Sequence, residues 1–403
     1  MTTELPRDRL PQTSVADRRP ADLSRTSDRA AAWAATMAGT VSAEGIVLAH
    51  SLSGRPRAQA RAVTRQARED GEGLSLAPGA TRSSGAGQRA LPEEPDPLRT
   101  CFERDRDRIL HSSAFRRLAG KTQVFVFPRD HQRTRLTHAL EVAQVATAVA
   151  RAAGLNVALT EAIALGHDCG HGPGGHASEE AFTPYLADGY NHAIWGADVV
   201  LAPLNLCAET LDGVRHHSWS LPSPATPEGA VVSWADRCAY CAHDLEDAAG
   251  IGIVDLDDLP RAVVEVAGRT RSSQLRCFVN ALVDCITANG EIGMHQPFAN
   301  ALAELRAFNY DRIYTRPSSM AQGRAVIAVL SALVEYFADN PGKLASPGRP
   351  PDAAPDAVVE GGRGTALRRS IAYVSGMTDR FAFDAAVELL GWPVDRLPRS
   401  VSG

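Results

Sequence analysis

Apolar residues recur at helical spacing over most of the chain from residue 100 onward. Val142, Val145 and Val149 lie three and four residues apart, on one face of a helix that Gly154 is suited to end. A second helix is expected to begin near Thr160. The same period predicts further helices over residues 193–205, 206–217, 230–249, 273–288, 298–310, 321–339, 366–373 and 379–390. No alternation of strands and helices is found, so the predicted fold class is all-α.

Two stretches lack this period and divide the chain. Residues 1–97 are rich in Arg, Ser, Pro and Gly, which predicts a poorly ordered extension or, alternatively, an oligomer-building or regulatory arm. Within it, the Ala-rich residues 29–50 could form a helix, and residues 72–96 are typical of a linker. Residues 341–364 contain five Pro and predict a surface loop. Residues 98–340 are predicted to form a helical core, and residues 365–403 are predicted to form C-terminal helices that dock on it.

Composition narrows the class of protein. The chain has 403 residues, of which 44% are hydrophobic and 22% charged, as in soluble globular proteins. No stretch approaches about 18 consecutive apolar residues, so no membrane-spanning helix is expected, and the polar N-terminus argues against a secretory signal. The net charge of −5 excludes a bulk basic field for nucleic-acid binding, although not a local basic patch. Seven irregularly spaced Cys favour a reduced, cytoplasmic compartment.

Metal-ligating side chains are densest at residues 166–176, where the sequence is GHDCGHGPGGH. The adjacent pair His167 and Asp168 offers an imidazole nitrogen and a carboxylate oxygen, which suit a hard or borderline divalent ion. A single His–Asp pair is common on protein surfaces. Three His within ten residues, beside a Gly-rich loop, favour a functional site instead.

Two other predicted helices carry residues that could complete this site. His138 lies 29 residues before the His–Asp pair, where a lone His would usually pack or cap a helix. Arg135 is about one turn away from it and could bring a fixed positive charge to a phosphate ester. Asp236, Tyr240 and Asp244 are four residues apart and share one helix face. They would line one wall of the pocket, or else form an exposed polar stripe.

This His…His-Asp…Asp arrangement resembles that of the HD-domain metal phosphohydrolases. The surrounding sequence is similar to the deoxyguanosine-triphosphate triphosphohydrolase-like family, whose opening motif is matched by FERDRDRILHS and AFRRLAGKTQVF within residues 102–125. Further motifs match in order at residues 135–144, 159–172, 204–218, 309–317 and 374–381. The resemblance covers roughly residues 100–390. It implies an HD-domain helical bundle with additional C-terminal helices.

The resemblance also implies a reaction, in which a deoxynucleoside triphosphate is cleaved to a deoxynucleoside and inorganic triphosphate. It implies four metal ligands, namely His138, His167, Asp168 and Asp236. It implies that His176 is the catalytic His and that Glu179 is the carboxylate that supports it. It also implies two further active-site His, His192 and His171. It implies that Arg135 contacts the α-phosphate and that Tyr240 lies beside the sugar ring. It implies that Gln123 and Asp244 contact the sugar 3′-hydroxyl. Arg117 and Lys121 belong to a basic run that suits a triphosphate or, alternatively, forms a solvated face.

Cofactor and partners follow from the same resemblance. The expected cofactor is a divalent metal ion, Mg²⁺ or Mn²⁺ first, with Fe²⁺, Co²⁺ and Zn²⁺ also compatible with nitrogen and oxygen ligands. The expected partners are the deoxynucleoside triphosphate substrate and further copies of the chain, as a homo-oligomer. A deoxynucleoside triphosphate or single-stranded DNA is a candidate effector, and no membrane is expected.

Two other functions stay open at this point. A different HD-type phosphohydrolase, acting on nucleoside monophosphates or on cyclic or alarmone nucleotides, would release orthophosphate or pyrophosphate instead of triphosphate. A catalytically weak nucleotide-sensing or nucleic-acid-binding protein would bind its ligand without hydrolysis. The second of these is favoured by Gly174 and by residues 193–195, where the sequence departs from the family's pattern.

Overall fold

A computed structural model describes residues 28–33, 39–50, 57–128, 132–344 and 362–399. Helices dominate these ranges, which confirms the all-α fold class; the only strands within them are Thr40–Val41 and Val47–Leu48. By their contacts the residues fall into two compact units, residues 1–62 and 63–403.

The first unit contains helical residues at 28–33 and a short antiparallel hairpin, in which Thr40 pairs with Leu48. The helix expected over residues 29–50 is therefore wrong in its second half. Gly39 and Gly45 adopt φ angles of 67° and 75°, in the left-handed region that glycine enters at little cost, and the strands consist of β-branched Thr and Val with one Leu. Residues 1–27, predicted to be poorly ordered, lie outside the described residues.

The second unit is built from helices, numbered here along the chain. The α-helices are α1 (Arg65–Ser75), α2 (Cys101–His111), α3 (Ser113–Arg117), α4 (Arg135–Ala153), α5 (Val157–Gly166), α6 (His176–Phe182), α7 (His192–Trp195), α8 (Ala208–His216), α9 (Pro227–Gly250), α10 (Arg261–Ala267), α11 (Arg271–Asn289), α12 (Gln296–Asn309), α13 (Pro317–Asp339), α14 (Gly362–Ser375) and α15 (Asp379–Leu390). Short 3₁₀ helices are Leu118–Gly120, Thr183–Tyr185, Ala202–Leu204, Leu256–Asp258, Pro341–Lys343 and Val394–Arg396, and π-helical turns are Gly196–Val200 and Tyr310–Tyr314.

Helices α4, α5 and α9 pack against one another at the centre of this unit. Helix α4 ends at Gly154 as expected, with a φ of 69° that allows its N–H to bond to the carbonyl of Ala150. Helix α5 begins three residues before Thr160, because the side chain of Asn156 caps it by accepting the N–H of Leu159 at 3.2 Å. Buried apolar residues of all three helices belong to one cluster, so the helix ends and faces are fixed relative to one another.

A second apolar cluster joins α13 to α6, α14 and α15. Helix α13 has the length and apolar composition of a membrane-crossing helix. One apolar face of this helix is buried against these three helices and consists of Val326, Val329, Leu330, Leu333, Val334 and Phe337. The two C-terminal helices therefore dock on the helical unit.

Residues 63–97 belong to the helical unit, although the sequence groups them with the N-terminal extension. Arg89 forms a fully buried ion pair with Asp105 at 2.6 Å, and also donates to the backbone carbonyls of Ala86, Cys101 and Asn205. Residues 72–96 are therefore not a linker. Polar contacts hold this segment in place, which explains why it lacks a periodic apolar pattern. Most of the predicted loop over residues 341–364 lies outside the described residues.

Candidate metal and phosphate site

The predicted metal ligands meet where α4, α5 and α9 converge. His138 lies in the first turn of α4, His167 and Asp168 follow the end of α5, and Asp236 lies on α9. The Nε2 atom of His138 is 3.0 Å from Oδ1 of Asp236, and Nε2 of His167 is 3.7 Å from the same oxygen. Nε2 of His167 is 3.6 Å from Oδ1 of Asp168. Three separate segments thus direct nitrogen and oxygen atoms at one point.

The hydrogen bonding of His167 prepares it to bind a cation. Its Nδ1 is 2.6 Å from the carbonyl oxygen of Ala164. Because a carbonyl oxygen only accepts, Nδ1 carries the hydrogen and Nε2 presents a lone pair. This Nε2 is buried and has no hydrogen-bond partner among the described residues. A divalent metal ion fits this atom and the oxygens around it.

Both carboxylates of the cluster are held in the ionised form that binds metals. Burial by itself raises the pKa of Asp168, but the charge of Arg135 and the neighbouring His outweigh it and hold that pKa well below its ordinary value. Burial also opposes ionisation of Asp236, but the hydrogen bond from His138 and the charges of the neighbouring His together outweigh it, so this pKa is lowered as well. Burial lowers the pKa of His138, but the hydrogen bond to Asp236 and the charges of Asp236, Asp168 and Asp244 together raise it by more.

Arg135 brings a buried positive charge beside these ligands. The residue is 1% exposed, and its Nη1 donates to Oδ2 of Asp168 at 2.7 Å. Its Nε and Nη2 atoms are buried without a partner among the described residues. Gly175 lies against the guanidinium: a Cβ there would be 2.6 Å from Nη2, and its φ of 63° also requires glycine. Two open donors on a fixed cation suit the oxygens of a phosphate.

A group of histidines continues from Asp168 towards α6 and α7. Nε2 of His171 lies 3.2 Å from Oδ1 of Asp168, and its ring stacks on that of His192 with centroids 3.7 Å apart. Nδ1 of His192 donates to Oε1 of Glu179 at 2.7 Å. The sequence assigns Glu179 to the support of His176, whereas in the structure this carboxylate bonds to His192. The cause is the position of His192 at the start of α7, which brings its Nδ1 to the carboxylate of Glu179 on α6.

His176 is the most exposed histidine of the group. Its ring centroid is 4.9 Å from that of His171 and 5.9 Å from that of His192. Partial loss of water around the ring, and then the positive charges of Arg135 and His192, lower its pKa. Its ring is therefore neutral near pH 7, with a lone pair available to accept a proton.

Sequence reasoning missed His217, which joins the metal cluster to this group. Its Nε2 is 3.2 Å from Nε2 of His192, and its ring lies edge-on to that of His167. Nδ1 of His217 bonds to the carbonyl of Val214 at 2.8 Å, so Nε2 accepts the hydrogen bond and His192 donates it. His217 lies in the motif at residues 204–218, which was matched as a whole without a role for this residue.

Tyr240 and Asp244 continue along the face of α9 that carries Asp236. The carboxylate of Asp244 accepts from the hydroxyl of Tyr314 at 2.5 Å, and its other oxygen is buried without a partner among the described residues. Burial raises the pKa of Asp244 to about 6. The hydroxyl of Tyr240 accepts from Nε of Arg306 at 2.9 Å. Tyr314 and Arg306 were not predicted: Tyr314 lies in a matched motif, and Arg306 lies in none.

The remaining three predicted residues are Arg117, at the end of α3, and Lys121 and Gln123, on the segment that follows this helix. Oε1 of Gln123 is buried and has no partner among the described residues, so it is open to a ligand. Lys121 is also buried, but its ammonium donates to the backbone carbonyls of His171 and Ser375. Burial, and then the charge of Arg117, lower its pKa to about 7. Two of its three donors are thus held by the chain, and a role for Lys121 in substrate binding stays a prediction. Arg117 donates to the hydroxyl of Ser113 at 3.1 Å.

The fold and the buried His–Asp cluster define the class of protein. An HD domain model matches residues 135–241, which span α4 to α9, and a phosphohydrolase-associated domain model matches residues 292–388. The chain is thus an HD-domain protein, a class of metal-dependent phosphohydrolases.

Curated relatives narrow the class to a family. A deoxyguanosinetriphosphate triphosphohydrolase-like protein of Caldanaerobacter subterraneus is 39% identical over 326 residues, which cover 79% of this chain and 93% of that protein. Proteins of the same name from Clostridium tetani and Desulfatibacillum aliphaticivorans are 36% and 40% identical, over 78% and 66% of this chain and 92% and 81% of their own. The chain therefore belongs to the deoxyguanosinetriphosphate triphosphohydrolase-like family, which confirms the resemblance. A solved structure of a hypothetical protein from Aquifex aeolicus aligns with a TM-score of 0.37 and 17% identity over 71% of each chain.

The orphaned nitrogen of His167 generates a prediction about metal binding. His167→Ala removes that lone pair from the cluster, so we expect the affinity for Mn²⁺, measured by titration calorimetry, to fall at least about tenfold. His216→Ala is the matched control, because His216 is partly exposed and pairs with Asp212 outside the cluster. An unchanged Mn²⁺ affinity in folded His167→Ala protein would show that the cluster is not the metal site.

Proposed function

We propose that this protein hydrolyses deoxynucleoside triphosphates to a deoxynucleoside and inorganic triphosphate. The observation that carries the proposal is a set of unpartnered polar atoms on the predicted site residues. The lone pair of His167, two guanidinium nitrogens of Arg135, and single oxygens of Gln123 and Asp244 are all buried without partners among the described residues. The nitrogen of His167 suits a metal ion, the nitrogens of Arg135 suit a phosphate, and the oxygens of Gln123 and Asp244 suit a sugar hydroxyl. Membership of a family of phosphohydrolases supports the same substrate class.

The metal would be held by His138, His167, Asp168 and Asp236, and we propose Mg²⁺ or Mn²⁺. When bound, such an ion polarises a phosphoryl oxygen and lowers the pKa of a water molecule. The chain's own residues supply the remaining requirements of the reaction: charge opposite the phosphate, a proton acceptor, and a fixed position for the sugar.

Arg135 would bind a non-bridging oxygen of the α-phosphate through Nε and Nη2. Its third nitrogen is bonded to Asp168, which fixes the plane of the guanidinium before substrate arrives. A preorganised buried cation stabilises the charge that develops on phosphate oxygens during displacement without a cost of reorganisation.

His176 would move the proton. Its neutral ring can take a proton from the attacking water and then give it to the 5′-oxygen that leaves as the deoxynucleoside. Glu179 would act on His192 instead of on His176 directly, because its carboxylate accepts from Nδ1 of His192. His192 in turn stacks on His171, so the two rings hold the inner wall against which His176 lies.

The sugar would lie against α9. The open oxygens of Gln123 and of ionised Asp244 are acceptors for the hydrogen of a 3′-hydroxyl. Tyr240 is held by Arg306, so its ring cannot withdraw easily. A ring fixed beside the sugar leaves little room for a 2′-hydroxyl and would favour deoxynucleotides over ribonucleotides. The homo-oligomeric state, the effectors and the cytoplasmic location stay predictions.

Product analysis tests the proposal. Purified protein is incubated with each of the four deoxynucleoside triphosphates and one ribonucleoside triphosphate, with Mg²⁺ or Mn²⁺, and the products are separated by chromatography. We expect a deoxynucleoside and intact triphosphate, with little turnover of the ribonucleotide. Release of pyrophosphate or orthophosphate would assign a different phosphohydrolase, and nucleotide binding without any product would assign a sensor.

The role of His176 can be separated from that of the metal ligands. We expect His176→Ala to retain Mn²⁺ while kcat falls by about two to four orders of magnitude, the range for a general acid–base group. Glu180→Ala, at an exposed position of the same helix, is the control and is expected to keep the wild-type rate. A wild-type kcat in His176→Ala would move the proton-transfer role to His171 or His192.

A further inference from the structure

One matched motif has no part in the chemistry described so far. Residues 374–381 form the junction between α14 and α15, in the C-terminal part of the chain. The first residue of α15 is Asp379, whose side chain is charged and yet 4% exposed. A buried carboxylate is costly unless its oxygens are fully bonded, so its partners indicate what it holds in place.

Asp379 bonds to two segments that border the candidate site. Its Oδ1 accepts the backbone N–H of Gly174 at 2.9 Å. Its Oδ2 accepts the backbone N–H and the hydroxyl of Thr122, at 3.0 Å and 2.5 Å. Gly174 lies two residues before His176, and Thr122 directly precedes Gln123. One side chain thus ties the loop that carries the proposed proton-transfer group to the segment that carries a proposed sugar contact.

A second contact joins the same three segments. The buried ammonium of Lys121 donates to the carbonyl of His171, in the site loop, and to that of Ser375, at the end of α14. Beside it the segments approach closely, since a Cβ on Gly120 would lie 2.8 Å from Cγ2 of Thr378. Lys121 and Asp379 therefore clamp the loop from two points, one through a carbonyl and one through an N–H.

The loop is also confined from the side of α13. Gly174 has a φ of 72°, and a Cβ there would lie 2.4 Å from Cγ1 of Val326. No other residue fits between the loop and this helix without movement. The departure from the family's pattern at Gly174 is therefore compatible with an ordered loop, because Asp379 fixes its N–H and Val326 fills the space beside it.

We propose that Asp379 is a positioning residue, which holds the loop of residues 170–175 and the Thr122–Gln123 segment in register so that His176 and Gln123 address one substrate. The catalytic consequence rests on the proposed function, whereas the fixation of the two segments does not. A purely stabilising carboxylate would affect unfolding throughout the second unit. Substitution of a positioning residue alters the order of the two segments, and the rate of the reaction, in protein that remains folded.

Hydrogen–deuterium exchange tests the fixation without requiring activity. Asp379→Asn keeps the size of the side chain but replaces one of its two accepting oxygens by an NH₂ group, which cannot accept from Thr122 or from Gly174. We expect peptides that cover residues 120–124 and 170–176 to exchange at least about tenfold faster than in wild type, while α11 is unchanged. Asp384→Asn, the same change at an exposed position of α15, is the matched control and is expected to match wild type. Unchanged exchange in both peptides, or equal acceleration in α11, would overturn the proposal.

Steady-state kinetics test the consequence for the reaction, at a temperature where every variant is folded by circular dichroism. We expect kcat of Asp379→Asn to fall at least about tenfold with Mn²⁺ affinity retained. Thr122→Val removes only the hydroxyl bond, so we expect it to raise KM more than it lowers kcat. Wild-type kcat and KM in Asp379→Asn would overturn the positioning role. A wild-type protein without turnover would instead contradict the proposed function, and the exchange data would still decide whether Asp379 fixes the loop.

Discussion

The structure depends on the burial of opposite charges at the meeting point of three helices. Arg135 and Asp168 are almost inaccessible to water, and each would be costly to bury alone. Their mutual bond, with the histidines around Asp168, offsets part of that cost and keeps the carboxylate ionised. Two nitrogens of the guanidinium still have no hydrogen-bond partner among the described residues, so the ion pair does not satisfy all the donors of Arg135. An anionic ligand could accept from both nitrogens, which is why we regard this ion pair as the centre of the site.

The outer parts of the chain complete this centre by contact. Helix α13 and the junction of α14 with α15 contact the glycine-rich loop. The buried side chains of Lys121 and Asp379 bond this loop and the segment before Gln123 to that junction. At the opposite end of the chain, Arg89 fastens residues 63–97 to α2 through Asp105. The site thus lies within one fold built from distant segments, rather than in a self-contained central motif.

Helical periodicity and short motifs predicted the parts of this arrangement that are local in sequence. The end of α4 follows from Gly154, and the His–Asp pair follows from a single run of eleven residues. The bond of Glu179 to His192, the burial of Lys121 and the role of His217 depend on which side chains meet across the fold. Spacing along the chain carries no information about such meetings. Residues 63–97 were misjudged for a related reason: polar bonds to distant residues, not an apolar face, hold them on the core.

In the proposed reaction, water attacks the α-phosphorus and the triphosphate is released in one piece. The most direct measurement is turnover of a deoxynucleoside triphosphate in H₂¹⁸O, with mass spectrometry of both products. We expect cleavage between the α-phosphorus and the 5′-oxygen, so one ¹⁸O atom enters the inorganic triphosphate and none enters the deoxynucleoside. Label in the 5′-hydroxyl of the deoxynucleoside, or in orthophosphate or pyrophosphate, would contradict it.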